Sequence, residues 1–168
     1  YLDKFSKELC GKTRKNHFKG VLNVVNRFLE IIEPKYLLLG IKDLQQLKLI
    51  ELHILKRKIK TKVISCKTIR EKNGIACSTR NQNLNKKQVE LASKVFKYLK
   101  LKKNKIQKKL SNYELTRTKK DLIKLGVTKI DYIKLLNLKN LKKPKIIKDK
   151  FKIFIAYYLK EVRLIDNI

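Results

Sequence analysis

The sequence predicts an α/β fold in which a parallel sheet with helices comes first and a small α+β domain with an antiparallel sheet follows. Residues 36–65 run strand, helix, strand, which is the order of a βαβ unit. After residue 85, two helical patterns precede three strand-like runs, an order typical of an α+β domain. The change between the two patterns places a domain boundary near residues 66–70, so we expect domains of residues 1–68 and 69–168.

The first predicted element is an amphipathic helix. From residue 21 to 32 the apolar residues recur at i, i+3, i+4, i+7, i+8 and i+11, which places them on one helix face. Pro34 ends this pattern, because proline lacks the amide that a continuing helix needs and disfavours a helical residue before it.

A βαβ unit is expected next. Residues 36–39 are a short apolar run that ends at Gly40, which suits a strand buried on both faces of a parallel sheet. Asp43 can cap the helix expected over residues 44–58, whose basic end suits the helix dipole. The apolar positions of that helix are Leu44, Leu47, Ile50 and Leu55. Residues 61–65 form the second strand, and ligands of such sheets bind beyond the carboxyl ends of the strands.

The second half of the chain carries clear helix boundaries. Asn85 with Gln88 three residues later resembles a capping box and opens one helix. Another helix is expected from about residue 113 to 125, with Gly126 as its C-terminal cap. The strand-like runs that follow are 129–137, 151–159 and 162–165.

The chain is strongly basic, with 44 Lys and Arg against 14 Asp and Glu among its 168 residues, a net charge of +30. Clustered cations are typical of proteins that bind nucleic acid. Only 7 of the 44 are Arg, however, and the chain is also rich in Ile and Asn, the residues of A/T-rich codons. Because Arg reads phosphate and guanine better than Lys does, compositional bias explains the charge better, and no specific nucleic-acid partner is expected.

The cysteines predict a cytoplasmic protein with reduced thiols. Cys10, Cys66 and Cys77 form no CxxC pair and are odd in number, which argues against a disulfide framework or a zinc site. No apolar run approaches the roughly 18 residues of a membrane span, and no signal peptide is recognisable, so no membrane partner is expected. The chain begins with Tyr1 rather than Met, as a fragment of a longer protein would.

Four short motifs occur in order along the chain. They are H-F-K-G-V at 17–21, G-I-K-D-L-Q-Q-L at 40–47, T-I-R-E at 68–71 and N-G-I-A-C-S-T-R-N at 73–81. Each is weak taken singly. Lys42 alone is a surface lysine in a lysine-rich chain, and Asp43 alone is a helix cap. Gln46 alone is a solvated residue of a first helical turn, and residues 78–81 alone are an ordinary turn.

Taken in order, the motifs closely resemble those of the pantothenate synthetase (pantoate–β-alanine ligase) family, which are H-F-x-G-V, G-E-K-D-x-Q-Q-L, T-x-R-E and D-G-L-A-x-S-S-R-N. The segment R-L-I-D-N at 163–167 resembles the closing motif of the same family. The resemblance covers essentially the whole chain. It implies a partial Rossmann-like nucleotidyltransferase domain followed by a small lid domain.

The resemblance also implies an ATP-dependent ligase of coenzyme A precursor biosynthesis. The family condenses pantoate with β-alanine through a pantoyl adenylate, uses ATP and Mg²⁺, and releases AMP and pyrophosphate. Its members commonly form homodimers. Such chemistry is mostly positioning and charge neutralisation, so it needs cations and backbone amides rather than a nucleophilic side chain.

The family motifs assign roles around residue 40. Lys42 would contact the ATP phosphates and Asp43 the ribose hydroxyls, while Gly40 and Ile41 would complete this first ATP loop. Gln46 would bind pantoate. We assign no functional role to Arg14 or His17, and for His17 we expect a structural hydrogen bond at the helix start.

The second half of the chain would supply the rest of the ATP contacts. Ile69 would meet adenine through its backbone. The second phosphate loop would consist of Cys77, Ser78, Thr79 and Arg80. Arg80 would hold the leaving pyrophosphate, which makes Lys42 and Arg80 the expected catalytic residues.

The chain departs from the family pattern in several places. Ile41 stands where the family has Glu, Thr79 where it has Ser, and Lys67 where Pro is common. The family's H-x-G-H motif, which holds ATP and supplies its catalytic His, does not occur in these 168 residues, and neither does a further pantoate-binding Gln. We therefore expect the family activity from the complete protein and little or none from this chain alone.

Two alternatives stay open at this point. One is a basic nucleic-acid-binding module on the same scaffold, which is disfavoured because aromatic residues do not interleave with the basic runs. The other is a decayed gene product without activity.

Overall fold

A computed structural model describes residues 5–106, 112–138, 141–144 and 150–168. Contacts divide the chain into two compact units, unit 1 (Tyr1–Thr68) and unit 2 (Ile69–Ile168).

Unit 1 contains the predicted strand–helix–strand order, preceded by a helix. After a single helical turn at Cys10–Thr13, its elements are α1 (His17–Ile32), β1 (Tyr36–Gly40), a 3-10 turn (Ile41–Asp43), α2 (Leu44–Lys56) and β2 (Lys62–Cys66). The two strands pair in parallel, with Tyr36 opposite Lys62 and Gly40 opposite Cys66. The parallel sheet is therefore confirmed, and α1 begins four residues earlier than its apolar stripe.

The sheet of unit 1 is covered on one face. Leu37, Leu39 and Val63 pack against a buried cluster formed by Leu29 of α1 with Ile50 and Ile54 of α2. The alternate positions Tyr36, Leu38 and Ile64 are exposed, and Leu38 reaches 64%. The expectation of a strand buried on both faces is therefore wrong, because both helices pack on the same side.

The helix faces also differ from the expected ones in detail. Leu55 is exposed, whereas its neighbour Ile54 is buried in the unit 1 core. On α1 the outer part of the apolar stripe, including Val24 and Phe28, is exposed. An apolar stripe thus marks the side that can be buried and overestimates its width.

Unit 2 packs two helices against an antiparallel sheet. Its elements are α3 (Lys86–Ile106), α4 (Asn112–Lys124), β3 (Lys129–Asn137), β4 (Phe151–Leu159) and β5 (Val162–Asn167). The strand order is β3-β4-β5, with both pairs antiparallel. The central strand β4 brings Ile153 and Ile155 against Val95 and Leu99 of α3 and Leu122 of α4 in one buried core. The predicted α+β arrangement is confirmed.

Local capping signals are confirmed as well. The Asn85 amide donates to Gln88 Oε1 and the Gln88 amide donates to Asn85 Oδ1, both at 2.9 Å, which is a capping box. Gly126 has φ +112°, and the amides of Gly126 and Val127 donate to the carbonyls of Ile123 and Leu122. That pair of hydrogen bonds is a Schellman motif, which requires the left-handed backbone that glycine adopts freely.

Two chain-wide findings accompany this fold. The thiols of Cys10, Cys66 and Cys77 are not joined in a disulfide, and Cys77 is the exposed one of the three. Within the described ranges, no helix combines the length and the apolarity that a membrane crossing requires.

Candidate functional site

The first predicted loop lies at the carboxyl end of β1. Gly40 ends that strand with an extended backbone, φ −70° and ψ 131°. A Cβ built on Gly40 would have no atom within 4 Å. Neither the backbone conformation nor protein packing requires glycine here, so the open space beside the strand end is available to a ligand.

Asp43 is the last residue of the 3-10 turn and directly precedes α2, but it does not cap that helix. Its backbone, φ −96° and ψ 48°, is not extended, and its side chain makes no capping hydrogen bond. The expectation that Asp43 caps α2 is therefore wrong, because a capping residue needs an extended backbone to aim its oxygen at the first turn. Asp43 is exposed, so its carboxylate is accessible to solvent. Lys42 is half-buried.

The two adjacent glutamines of α2 face different environments. Gln45 is 6% exposed; its Oε1 accepts from the Cys10 amide at 3.1 Å, and its Nε2 donates to the carbonyls of Phe5 and Glu8 at 2.8 Å each. Gln46 is half-buried. Successive helical residues point about 100° apart, so only one of the pair can serve the core. No role of Gln45 was predicted from the sequence, although the Gln-Gln doublet could have indicated that one of the two is structural.

Arg14 and His17 form the expected hydrogen bond at the start of α1. Arg14 Nη1 donates to His17 Nε2 at 2.9 Å, and the His17 ring lies 4.8 Å from the Phe18 ring. Both residues line a cavity of about 430 Å³, whose wall also includes Lys7, Lys19, Leu22 and Leu49.

Residues 69–77 of unit 2 form a short hairpin. The Cys77 amide donates to the Ile69 carbonyl at 3.0 Å, and Arg70 and Ala76 form an antiparallel bridge. Gly74 makes the turn with φ +92°, and the Phe96 ring lies so close that a Cβ on Gly74 would be 2.3 Å from its Cδ1. The hairpin therefore brings two predicted ATP residues, Ile69 and Cys77, side by side at its open end.

The predicted phosphate loop continues directly from this hairpin into a 3-10 turn, Thr79–Asn83. Ser78 precedes the turn, and its Oγ accepts from the Arg80 amide at 3.3 Å. Asn81 holds the turn to the hairpin, because its Nδ2 donates to Glu71 Oε1 at 2.7 Å and to the Ala76 carbonyl at 3.1 Å. Arg80 is exposed. The sequence motif did not reveal that Glu71 and Asn81 fix the loop in place.

The two loops belong to different units. Gly40, Lys42, Asp43 and Gln46 lie together at the carboxyl end of β1 in unit 1, whereas Ile69 and Cys77–Arg80 lie together in unit 2. Across the described residues, no group of three or more His, Cys, Asp and Glu side chains is arranged to hold a metal ion.

The chain matches known ligases over its full length. The family model described as pantoate-β-alanine ligase matches residues 1–168. The pantothenate synthetase of Francisella tularensis subsp. novicida is 38% identical over 159 residues, which are 95% of this chain and 52% of that protein. The pantothenate synthetase of Carboxydothermus hydrogenoformans is 35% identical over 161 residues, which are 95% of this chain and 57% of that protein. The chain thus spans about half the length of the curated relatives it matches.

Solved structures show the same fold. A pantothenate synthetase from Thermus thermophilus superposes with a TM-score of 0.85 at 25% identity, over 98% of this chain and 60% of that one. A pantoate-β-alanine ligase from Francisella tularensis, solved with β-γ ATP and β-alanine, superposes with a TM-score of 0.78 at 33% identity. That match covers 98% of this chain and 55% of the other.

Proposed function

Because this chain belongs to the pantoate–β-alanine ligase family, we propose that it provides the ATP- and pantoate-facing loops of an enzyme that condenses pantoate with β-alanine. The observation that carries the proposal is the placement of the family motifs. The motif that begins at Gly40 lies at the end of a parallel strand, beside open space. The Cys77–Arg80 loop continues from the end of the hairpin at which the Cys77 amide donates to the Ile69 carbonyl. A relative 33% identical to this chain was solved with β-γ ATP and β-alanine.

In unit 1 the proposed contacts follow from the strand end. Lys42 binds an ATP phosphate and stabilises the negative charge that develops on pyrophosphate. The exposed carboxylate of Asp43 accepts hydrogen bonds from the ribose hydroxyls, and Gly40 and Ile41 let the nucleotide lie against the backbone. Gln46, on the first turn of α2, binds pantoate through its amide.

In unit 2 the hairpin and its loop complete the ATP contacts. Ile69, which is 75% exposed, offers its backbone to adenine. Ser78 and Thr79 offer hydroxyls and amides to phosphate, as part of the Cys77–Arg80 loop. Arg80 clamps the leaving pyrophosphate with its planar guanidinium.

The reaction then proceeds in two steps. The pantoate carboxylate attacks the α-phosphorus of ATP, pyrophosphate leaves, and pantoyl adenylate forms. The β-alanine amine next attacks the activated acyl carbon, which yields pantothenate and AMP. Lys42 and Arg80 accelerate the first step by neutralising charge where it grows, and the loops hold the reacting groups in line.

Mg²⁺ belongs to this proposal as the ion that ATP brings with it. At nucleotide sites Mg²⁺ is held mainly by substrate phosphates and water, with one or two protein ligands. Bound to the phosphates, the ion would neutralise part of their charge. We further propose a cytoplasmic homodimer for the complete enzyme.

The nucleic-acid alternative is not favoured. The family match extends over all 168 residues, so no segment is left over as a separate nucleic-acid module. The basic composition alone does not distinguish the two functions, since any protein at +30 is retained on a polyanion at low salt.

The test uses a completed enzyme, which is this chain fused behind the N-terminal part of the Francisella tularensis subsp. novicida relative. AMP release should depend on both pantoate and β-alanine. Lys42→Ala and Arg80→Ala should each reduce turnover by about 10²-fold or more, by analogy with removing a charge-stabilising donor. Arg117→Ala, which removes an exposed guanidinium from α4, is the control and should leave turnover unchanged. Full turnover in both loop variants would show that the two loops are wrongly assigned.

A further inference from the structure

The motif at residues 163–167 has no part in the proposed chemistry, yet its Asp166 contacts the 69–77 hairpin. Both carboxylate oxygens of Asp166 accept hydrogen bonds from Arg70, at 2.7 Å from Nη1 and 2.9 Å from Nη2. The side chains are 11% and 23% exposed, so the pair is largely withdrawn from water. A bidentate guanidinium–carboxylate pair fixes direction as well as distance.

The Arg70 guanidinium makes two further contacts, one with the hairpin turn and one with α3. Its Nη1 also donates to the Gly74 carbonyl at 3.0 Å, at the turn of the hairpin. Its guanidinium lies over the Phe96 ring of α3, 4.4 Å from the ring centroid. One guanidinium therefore joins the hairpin turn, helix α3 and the C-terminal strand β5.

We infer that Arg70 and Asp166 are positioning residues for ATP. Arg70 directly follows Ile69, and its bridge partner Ala76 directly precedes Cys77. Loss of the guanidinium contacts would free the Arg70 backbone to shift, and such a shift would move both ends of the hairpin, which are the proposed ATP contacts. This inference rests on the proposed function, because it takes the ends of the hairpin as ATP contacts.

The same sheet contains a matched ion pair that lies outside the hairpin. Arg163 Nε donates to Asp131 Oδ2 at 2.8 Å, with side chains 13% and 6% exposed, and the pair joins β5 to β3. Its burial resembles that of the Arg70–Asp166 pair. Substituting Asp131 therefore shows how the loss of a buried carboxylate affects unit 2 when the Arg70–Asp166 ion pair is kept.

The kinetic test compares Asp166→Asn, Arg70→Lys and Asp131→Asn in the completed enzyme, by pantoate-dependent ATP–pyrophosphate exchange. Asp166→Asn and Arg70→Lys should each raise the KM for ATP by about tenfold or more, because a small misplacement of a binding loop is costly. The KM for pantoate should stay unchanged. The KM for ATP of the Asp166→Asn, Arg70→Lys double variant should be no higher than that of the more impaired single variant, because both substitutions break the same ion pair. Asp131→Asn should lower the thermal midpoint while the KM for ATP stays within about twofold.

A second measurement does not depend on activity. In the 168-residue chain, hydrogen exchange at the Cys77 and Glu71 amides, which close the hairpin, should accelerate about tenfold or more in Asp166→Asn. It should not accelerate in Asp131→Asn. Arg70→Lys keeps the charge and serves as the second variant if Asp166→Asn does not fold.

The two proposals fail differently. A completed wild-type enzyme without pantoate-dependent exchange would overturn the proposed function. A positioning role is overturned if Asp166→Asn changes the KM for ATP no more than Asp131→Asn does, or if the hairpin amides exchange equally fast in the two variants.

Discussion

At the residue scale, the adjacent residues Gln45 and Gln46 differ in burial and therefore in the role that we assign to each. The buried amide of Gln45 makes hydrogen bonds to three backbone groups in the segment that precedes α1. The half-buried Gln46 provides the amide that we propose for pantoate binding. A buried polar side chain of this kind is costly to remove, because its partners lose their hydrogen bonds inside the protein.

Gln45→Leu should therefore lower the free energy of unfolding by about 2 kcal/mol or more, since it removes three hydrogen bonds at a buried side chain, one from the Cys10 amide and two to the Phe5 and Glu8 carbonyls. Urea denaturation followed by far-UV circular dichroism measures this loss. Gln46→Leu is the matched control on the same helix and should change stability by less than about 0.5 kcal/mol. Equal losses in the two variants would contradict the structural role of Gln45.

A second residue-scale prediction concerns His53 of α2, whose Nε2 contacts Asn26 Oδ1 at 2.8 Å. Burial, and then the nearby charge of Arg57, lower the pKa of His53 below its ordinary value. The folded state therefore disfavours the proton, so stability is complete above the ordinary histidine pKa of about 6.5 and falls as pH drops below it.

The urea midpoint should accordingly decrease between about pH 7 and pH 5, and His53→Gln should flatten that decrease. His17→Gln removes the chain's other histidine and is the control, which should retain the pH dependence. A slope that survives His53→Gln would assign the proton uptake to other groups.

At the element scale, the hairpin depends on one glycine. Gly74 has φ +92°, and a side chain there would collide with the Phe96 ring. Gly20 makes the opposite case, because it lies within α1 and a Cβ there would meet nothing within 4 Å.

The two glycines should respond to alanine with opposite signs. Gly74→Ala should lower the free energy of unfolding by about 1–3 kcal/mol, from backbone strain and the clash with Phe96. Gly20→Ala should raise it by up to about 1 kcal/mol, because alanine is the better helix former. Thermal denaturation distinguishes these outcomes, and destabilisation by both substitutions would refute the contrast.

Elements with local signals could be predicted from sequence, whereas features that depend on tertiary neighbours could not. The capping box at Asn85 and the glycine cap at Gly126 are written in a few adjacent residues, and both are confirmed. The solvent-facing side of β1 and the burial of Ile54 instead of Leu55 depend on where α1 and α2 pack. A continuous apolar run carries no information on which of its two faces is covered.

The candidate site, too, could be predicted from the sequence only in part. The two proposed ATP loops were predicted because their motifs resemble those of the family, and this resemblance is visible in the sequence. The fastening of the hairpin by Arg70 and Asp166 was not predicted, since the two residues are 96 positions apart and meet only in the fold. Asp43 was expected to cap α2, and the 3-10 turn that prevents this leaves no sequence signal of its own.

At the scale of the whole molecule, the net charge of +30 governs the response to salt. Cations spread along the chain repel one another more strongly in the compact state than in the unfolded one. The thermal midpoint should therefore rise as NaCl increases from about 10 mM to 300 mM, over which the screening length falls from about 30 Å to below 10 Å. Differential scanning calorimetry at matched pH measures this shift. A midpoint that falls with added salt would mean that favourable ion pairs outweigh the repulsion.

The exposed thiol of Cys77 has a practical consequence. It lies where the hairpin continues into the proposed phosphate loop, whereas Cys10 is buried and Cys66 is partly covered. The loop thus carries its own attachment point for a maleimide fluorophore, without any engineered cysteine. Brief labelling should favour Cys77, and the dye's emission would then report nucleotide arrival at the loop in real time.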